Sequence, residues 1–171
     1  MGGQLALPVV RPGRVEDIDL VVRGDSESFP INDEVPVSFS DPERIRAIVE
    51  NPRSLLKLRV TDHGYMIYAP YPQPLDPGVV YVSAIGGPPR DKLALIRSLQ
   101  KDARRVYTHA KIPGEGRADP YSFRDFIAAG FRVGLAGNPA MEPRQMEFDD
   151  SIRNLVTVEW NRHFSRHRHV L

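Results

Sequence analysis

The sequence predicts an α/β (α+β) fold in which a mixed, mostly antiparallel, twisted sheet is flanked by helices. Three observations carry this. Short β-branched runs such as VVYVSAI (79–85) and VYTHAKI (106–112) alternate with segments whose apolar residues recur at helical spacing, Leu93, Ile96, Leu99 and Ala103 being the clearest set. The triplet Asp62-His63-Gly64 between SLLKLRVT (54–61) and YMIYA (65–69) signals a hairpin, with the glycine expected at positive φ. A chain of 171 residues is also of single-domain size, and folding at that length buries about 70% of the unfolded surface, enough for a core without staples.

Taken in order, LPVVR (7–11) reads as a strand ended by Pro12-Gly13, and RVEDIDLVVRG (14–24) as a helix with Val15, Ile18, Leu20, Val21 and Val22 turned inward. Ser40-Asp41-Pro42-Glu43 supplies a capping residue, a first-turn proline and a glutamate three places after the serine, so a helix runs from there to about Asn51, where Pro52 stops it. PYPQPLDPG (70–78) lacks the N–H donors a ladder needs and reads as a rigid loop. PPRDKLALIRSLQKDARR (88–105) is the longest helix, its prolines tolerated in the first turn. A short helix within 119–130 ends at Gly130, and FRVGLAG (131–137) and RQMEFDD (144–150) read as two closing strands. Residues 1–150 thus make the domain.

The 23 basic and 22 acidic residues leave a net charge of +1, so no global field draws the chain to nucleic acid or to an anionic membrane. The absence of cysteine excludes a disulfide framework, a thiolate nucleophile and cysteine-ligated zinc. No apolar run approaches the roughly 20 residues of a membrane span, and MGGQLALPVVRPGR is no secretory leader. A protein that is not secreted and has no membrane partner is the expectation.

The order β-α-α-β-β-β-α-β-α-β-β, with the stretch DPYSFRDFIAAGFRVG (119–134), resembles the GCN5-related N-acetyltransferases (GNAT) over about residues 5–149. In that family the stretch reads Asn-x-x-Ala-x-x-Leu-Tyr-x-x-x-Gly-Phe, and its tyrosine lies near the thiol of coenzyme A, where it can protonate the leaving thiolate. The resemblance places Asp119 at the asparagine, Ser122 at the small residue, Gly130-Phe131 at the ending, and Phe126 at the tyrosine. A phenyl ring has no proton to give. The family's loop Arg/Gln-x-x-Gly-x-Gly/Ala, whose backbone N–H groups point at the cofactor pyrophosphate, falls on AIGGPPRDKL (84–93). Gly86 and Gly87 permit close approach there and Arg90 and Lys92 offer charge, but Pro88 and Pro89 remove two amide donors. The layout is similar, more closely still, to the degenerate GNAT-like proteins encoded among the virion-morphogenesis genes of short-tailed phages. Val10-Arg11-Pro12, VVYVSAIGG, DKLALIRSLQKDARRVYTHA and FRDFIAAGFR carry that likeness.

For chemistry, Tyr81 and Ser83 alternate onto one face of their strand, and Tyr107 and His109 share a face of the next. These residues line a cleft if the strands splay, and Tyr81, Tyr107 and His109 are the candidates for proton transfer; half-buried strand residues with ordinary hydrogen bonds are the alternative. In the C-terminal segment 151–171, Ile152, Leu155, Val156, Trp160 and Phe164 fall on one stripe of an amphipathic helix, followed by a basic cluster that includes Arg166 and Arg168. His163 and His167 stand one turn apart, but no third metal ligand is fixed.

Two functions follow. One is a non-catalytic structural or interaction protein on a degenerate GNAT-like scaffold, a phage virion or morphogenesis component located in the host cytoplasm or the virion. It has no cofactor and binds protein partners through the tail stripe, with any nucleic-acid contact confined to the basic tail. The other is an N-acetyltransferase using acetyl-coenzyme A on an unidentified amine.

Overall fold

The computed structural model describes residues 6–28, 39–70, 78–134 and 156–163. Its elements are β1 (Arg11–Pro12), a 3-10 turn (Val15–Asp17), α1 (Ile18–Ser28), α2 (Pro42–Glu50), β2 (Lys57–Val60), β3 (Tyr65–Pro70), β4 (Val79–Gly86), α3 (Pro89–Asp102), β5 (Arg105–Ala110), α4 (Phe123–Ala128), β6 (Arg132–Val133) and β7 (Val156–Asn161), in the predicted order of strands and helices. They build one sheet in the order β1-β2-β3-β4-β5-β7-β6. Only β4 and β5 run parallel among the described strands, because α3 crosses over between them.

Both faces of the sheet are covered, which is why β4 is apolar at nearly every position rather than alternating. On one face Leu95, Ile96 and Leu99 of α3 and Phe126 of α4 pack on Met66, Val82, Ile85, Val106 and Val158. On the other, Ile18 and Val21 of α1 and Ile45 and Ile48 of α2 pack on Leu58, Val60, Ile67 and Ala84. No helix among the described residues is long and apolar enough to cross a membrane.

Local signals set most boundaries. Asp41, not Ser40, caps α2: its carboxylate accepts the Glu43 N–H at 3.0 Å, and Pro42 is the first helical residue. Gly130 (φ +94°) ends α4 in a Schellman turn, in which Phe131 N–H bonds Phe126 O at 3.1 Å and the two rings meet at 5.0 Å. Gly64 is not at positive φ. It is glycine because a Cβ there would lie 3.0 Å from both Asp91 Cβ and Gly86 O. The LPVVR strand is shorter than predicted, since only Arg11 and Pro12 pair with β2.

The largest correction concerns the C-terminal helix. Residues 156–161 form β7, inserted between β5 and β6, so the sheet runs past the boundary predicted at residue 150. VTVEWN alternates, with Val156, Val158 and Trp160 toward the α3/α4 core and Thr157, Glu159 and Asn161 to the other face. Val156 and Trp160 are four apart, so they fit a helical stripe and a strand face equally. Val158 between them distinguishes the two, and the unpaired edge of β5 supplies the partner. RQMEFDD and the loop 71–77 lie outside the described residues.

The chain entry is fixed by Arg11, whose two terminal nitrogens each reach the Asp17 carboxylate at 2.7 Å, while Arg14 N–H adds a third bond at 2.8 Å. Hydrogen bonding to the guanidinium, against an opposing desolvation, holds the Asp17 carboxyl below the usual carboxylate range.

Two outcomes are expected. A carboxyl whose folded pKa is depressed stabilises the fold above its unfolded value, about 3.9, and that stability is lost as pH falls through the folded value. Asp17→Asn therefore lowers stability at pH 7 by about 1–3 kcal/mol and flattens the acid limb of melting temperature against pH. An unchanged acid limb contradicts the assignment. Ending the chain at residue 150 removes β7, including the fully buried Val158, and should abolish the cooperative thermal transition followed by circular dichroism.

Candidate functional site

The parallel pairing of β4 and β5 stops at Val82 and Thr108, and the strands diverge beyond it. Just there the β3–β4 register skips Ser83, which is the extra residue of a bulge. The bulge interrupts the regular alternation of β4, with Val82 on the α3/α4 face and Ala84 on the α1/α2 face.

On the α1/α2 side of this divergence the structure brings Tyr81, Tyr107 and His109 together. The Tyr81 hydroxyl and His109 Nδ1 share a hydrogen bond of 2.7 Å, its direction set by the imidazole tautomer. The Tyr81 ring lies 5.5 Å from Tyr107 and 5.1 Å from His109, tilted against both. β7 completes the row: Thr157 stands opposite His109, and Glu159 opposite Tyr107. Thr157 Oγ1 is buried and has no hydrogen-bond partner among the described residues. Glu159 receives Arg105 through Nε at 3.0 Å and a terminal nitrogen at 2.7 Å. Sequence reading missed Thr157 and Glu159 because they were assigned to a helix; the VTVEWN alternation was the available signal.

The α3/α4 side carries the residues matched to a cofactor site, and internal contacts occupy them. A Cβ on Gly86 would meet the Tyr65 ring at 2.5 Å, and one on Gly87 (φ +118°) would meet Gly64 Cα at 2.6 Å, so close packing accounts for both glycines. Pro88 caps α3 without a side-chain bond, and Pro89 is its first residue. Asp91, in the first turn of α3, takes the Thr61 hydroxyl at 2.6 Å. Arg90 reaches back to Ala6 O at 2.6 Å. Lys92 Nζ crosses to α4, 2.7 Å from Asp125 and 3.0 Å from Ser122 Oγ. Ser122 is buried with φ +56°, the single non-glycine residue at positive φ among those described. Asp119 holds the start of α4 by accepting Phe123 and Arg124 N–H at 2.9 and 2.8 Å. Phe126 is 1% exposed, its ring tilted against that of Phe131 at 5.0 Å, and so is a core residue.

Of the partner-binding stripe, Val156 and Trp160 turn toward the domain's own core, which corrects their role as a free interface. Ile152, Leu155, Phe164, Arg166 and Arg168 lie outside the described residues. His163 donates its backbone N–H to Asn161 Oδ1 at 2.9 Å, and no cluster of three metal-ligating side chains occurs among the described residues.

No family model and no curated protein matches the sequence. Solved structures do match in shape. The chain is similar to a ribosomal-protein-alanine N-acetyltransferase from Brucella melitensis, with 15% identity and a TM-score of 0.58 over 90% of this chain and 99% of that one. It is similar to yncA from Salmonella typhimurium, solved with its cofactor acetyl-CoA, at 14% identity and a TM-score of 0.55 over 91% and 94%. GphF, a GNAT-like decarboxylase in complex with isobutyryl-CoA, gives 15% and 0.57 over 90% and 98%. At such identities the likeness is one of architecture, and on it the fold of this chain is GNAT-like.

Proposed function

We propose that the protein is a non-catalytic interaction protein built on a GNAT-like scaffold, a phage virion or morphogenesis component by its likeness of layout. The observation that carries the loss of catalysis is the Lys92 bridge. If the pyrophosphate sat at the start of α3 and the thiol near position 126 of α4, as in the family pattern, the cofactor arm would pass between the two helices. Lys92, Asp125 and Ser122 tie those helices together across that path. Pro88 and Pro89 remove two amide donors, each worth about 1.5–3 kcal/mol toward a charged group, which weakens a pyrophosphate by a hundredfold or more at about 1.4 kcal/mol per decade.

A second reading has its own observation: the Tyr81–His109 hydrogen bond stands where β4 and β5 part. There, in an N-acetyltransferase, His109 and Tyr81 would take the proton of an amine on the α1/α2 side while acetyl-coenzyme A supplied the acyl group. GphF is relevant here, because it is a GNAT-like decarboxylase in complex with an acyl-CoA.

Isothermal titration with acetyl-coenzyme A separates the two: no heat of binding is expected at submillimolar cofactor. A micromolar dissociation constant that survives in His109→Gln, with amine-dependent thiol release that does not, establishes the acetyltransferase instead. Phe126→Tyr restores the family's hydroxyl inside a packed core. It should cost about 1–3 kcal/mol of stability and yield no thiol release; release with unaltered stability would mean that the position faces a cleft.

A further inference from the structure

A groove of about 560 Å³ runs between residues 7–12 and the face of α3 that carries Ala94, Arg97, Ser98 and Lys101. It lies on a different face of α3 from Lys92, so it is not the cofactor path. Its outer wall is held at both ends, by Arg90 on Ala6 O and by the Arg11–Asp17 pair. Between those anchors, no backbone hydrogen bond is made by Leu7, Val9 or Val10 with any described residue. Val9 is 82% exposed and Leu7 40%. The segment leads into β1, the outermost of the described strands, so among the described residues its backbone groups meet no neighbouring strand.

The inner wall is positive. Arg59 is neutralised by Asp102 at 2.9 Å and held by Ser98 and Tyr68. Arg97 donates to the Gln100 side-chain oxygen at 3.0 Å, a neutral acceptor. Neither Arg97 nor Lys101 has a carboxylate partner among the described residues, in a chain whose net charge is only +1. They stand one helical turn apart, with side chains about 5–6 Å from each other at Cβ.

We propose that this groove binds an acidic peptide segment in extended conformation. Main-chain groups of the peptide pair with Leu7, Val9 and Val10, as in strand addition at an open edge. Carboxylates at alternate positions face Arg97 and Lys101. An extended chain places side chains i and i+2 about 6.6 Å apart on one face, which matches the turn spacing of the two cations. Apolar residues between the acids cover Val9 and Leu7. The recognised pattern is therefore acidic-x-acidic on a β-prone background, and charge complementarity favours it over a basic or neutral strand. The inference rests on the interaction reading and gives that reading a partner class; it does not depend on the cofactor.

The test is fluorescence anisotropy of a labelled peptide of alternating Val and Glu with the full chain at low salt. Saturable binding is expected, falling at least about tenfold in Arg97→Glu/Lys101→Glu and little changed in Arg53→Glu, an exposed charge outside the groove. If the double charge reversal unfolds the chain, Arg97→Gln/Lys101→Gln takes its place and should weaken binding severalfold. A peptide with every second backbone amide methylated should lose binding as well. Binding that ignores the groove variants, survives amide methylation, or is displaced equally by millimolar inorganic phosphate overturns the proposal. So does an equal affinity for the Val-Lys peptide. Failure of the peptide with acetyl-coenzyme A still silent removes this inference alone, whereas micromolar binding of the cofactor removes the non-catalytic reading.

Discussion

The seating of the β2–β3 turn on the β4–α3 junction is the constraint on which the carboxyl end of β4 depends. Thr61 organises it. Its N–H bonds Gly64 O at 2.9 Å, its hydroxyl accepts Gly64 N–H at 2.8 Å, and the same hydroxyl donates to Asp91 in the first turn of α3. The turn thereby brings Gly64 against Gly87, where a side chain on the latter would overlap backbone. Tyr65 follows at once, its ring fitting between Gly24 of α1 and Gly86 of β4, at positions where any Cβ would fall within 2.6 Å. Burial, with the Asp25 carboxylate adding to it, pushes the Tyr65 phenol far up, so the ring stays neutral in the core. Two glycines that resemble a cofactor loop are therefore explained by what packs on them.

That seating also orients the first turn of α3. Asp91 points to the β2–β3 turn, and Lys92, the next residue, points the other way to Asp125 and Ser122 of α4. Farther along, Gln100 donates to Ala129 O at 2.9 Å, so the two helices are tied at both ends of their contact. The Phe126–Phe131 pair and the Schellman turn close α4 on the same core. The Lys92–Asp125 pair is partly buried and flanked by the Ser122 hydrogen bond, and with the Gln100 contact it ties α3 to α4 in one layer. Ser122, at positive φ beside the lysine, is where that layer stores backbone strain.

The sequence made the scaffold legible wherever one signal dominated. Pro42 and Asp41 start α2, Gly130-Phe131 ends α4, and the β-branched run 79–85 fixes β4. It misled where two periods coincide: residues 156 and 160 satisfy a helix and a strand alike, and only the pairing register with β5 decides between them. Tyr81, Tyr107 and His109 were legible as a group because strand alternation places them, whereas the bulge at Ser83 was not, since it leaves no mark in composition. The reach of Lys92 to α4 was illegible for another reason. A lysine one turn into a helix looks like a solvated charge, and only the tertiary approach of Asp125 gives it a partner.

The two faces of the β4–β5 divergence now differ in kind. On the α3/α4 face the positions matched to a cofactor site hold a buried phenyl ring at 126, exposed prolines at 88 and 89, and a lysine paired with Asp125. On the α1/α2 face a row of polar groups persists under burial, including Tyr107, His109 and Thr157. Burying hydroxyls and an imidazole is unfavourable compared with the apolar residues found at equivalent depth on the opposite face, so packing alone does not explain that row. Thr157 is the most telling member, because its Oγ1 has no partner among the described residues, and a valine would have filled the same strand position without that loss. The asymmetry sets Tyr81, His109 and Thr157 apart from the apolar packing, on the side of the sheet away from the tied helices.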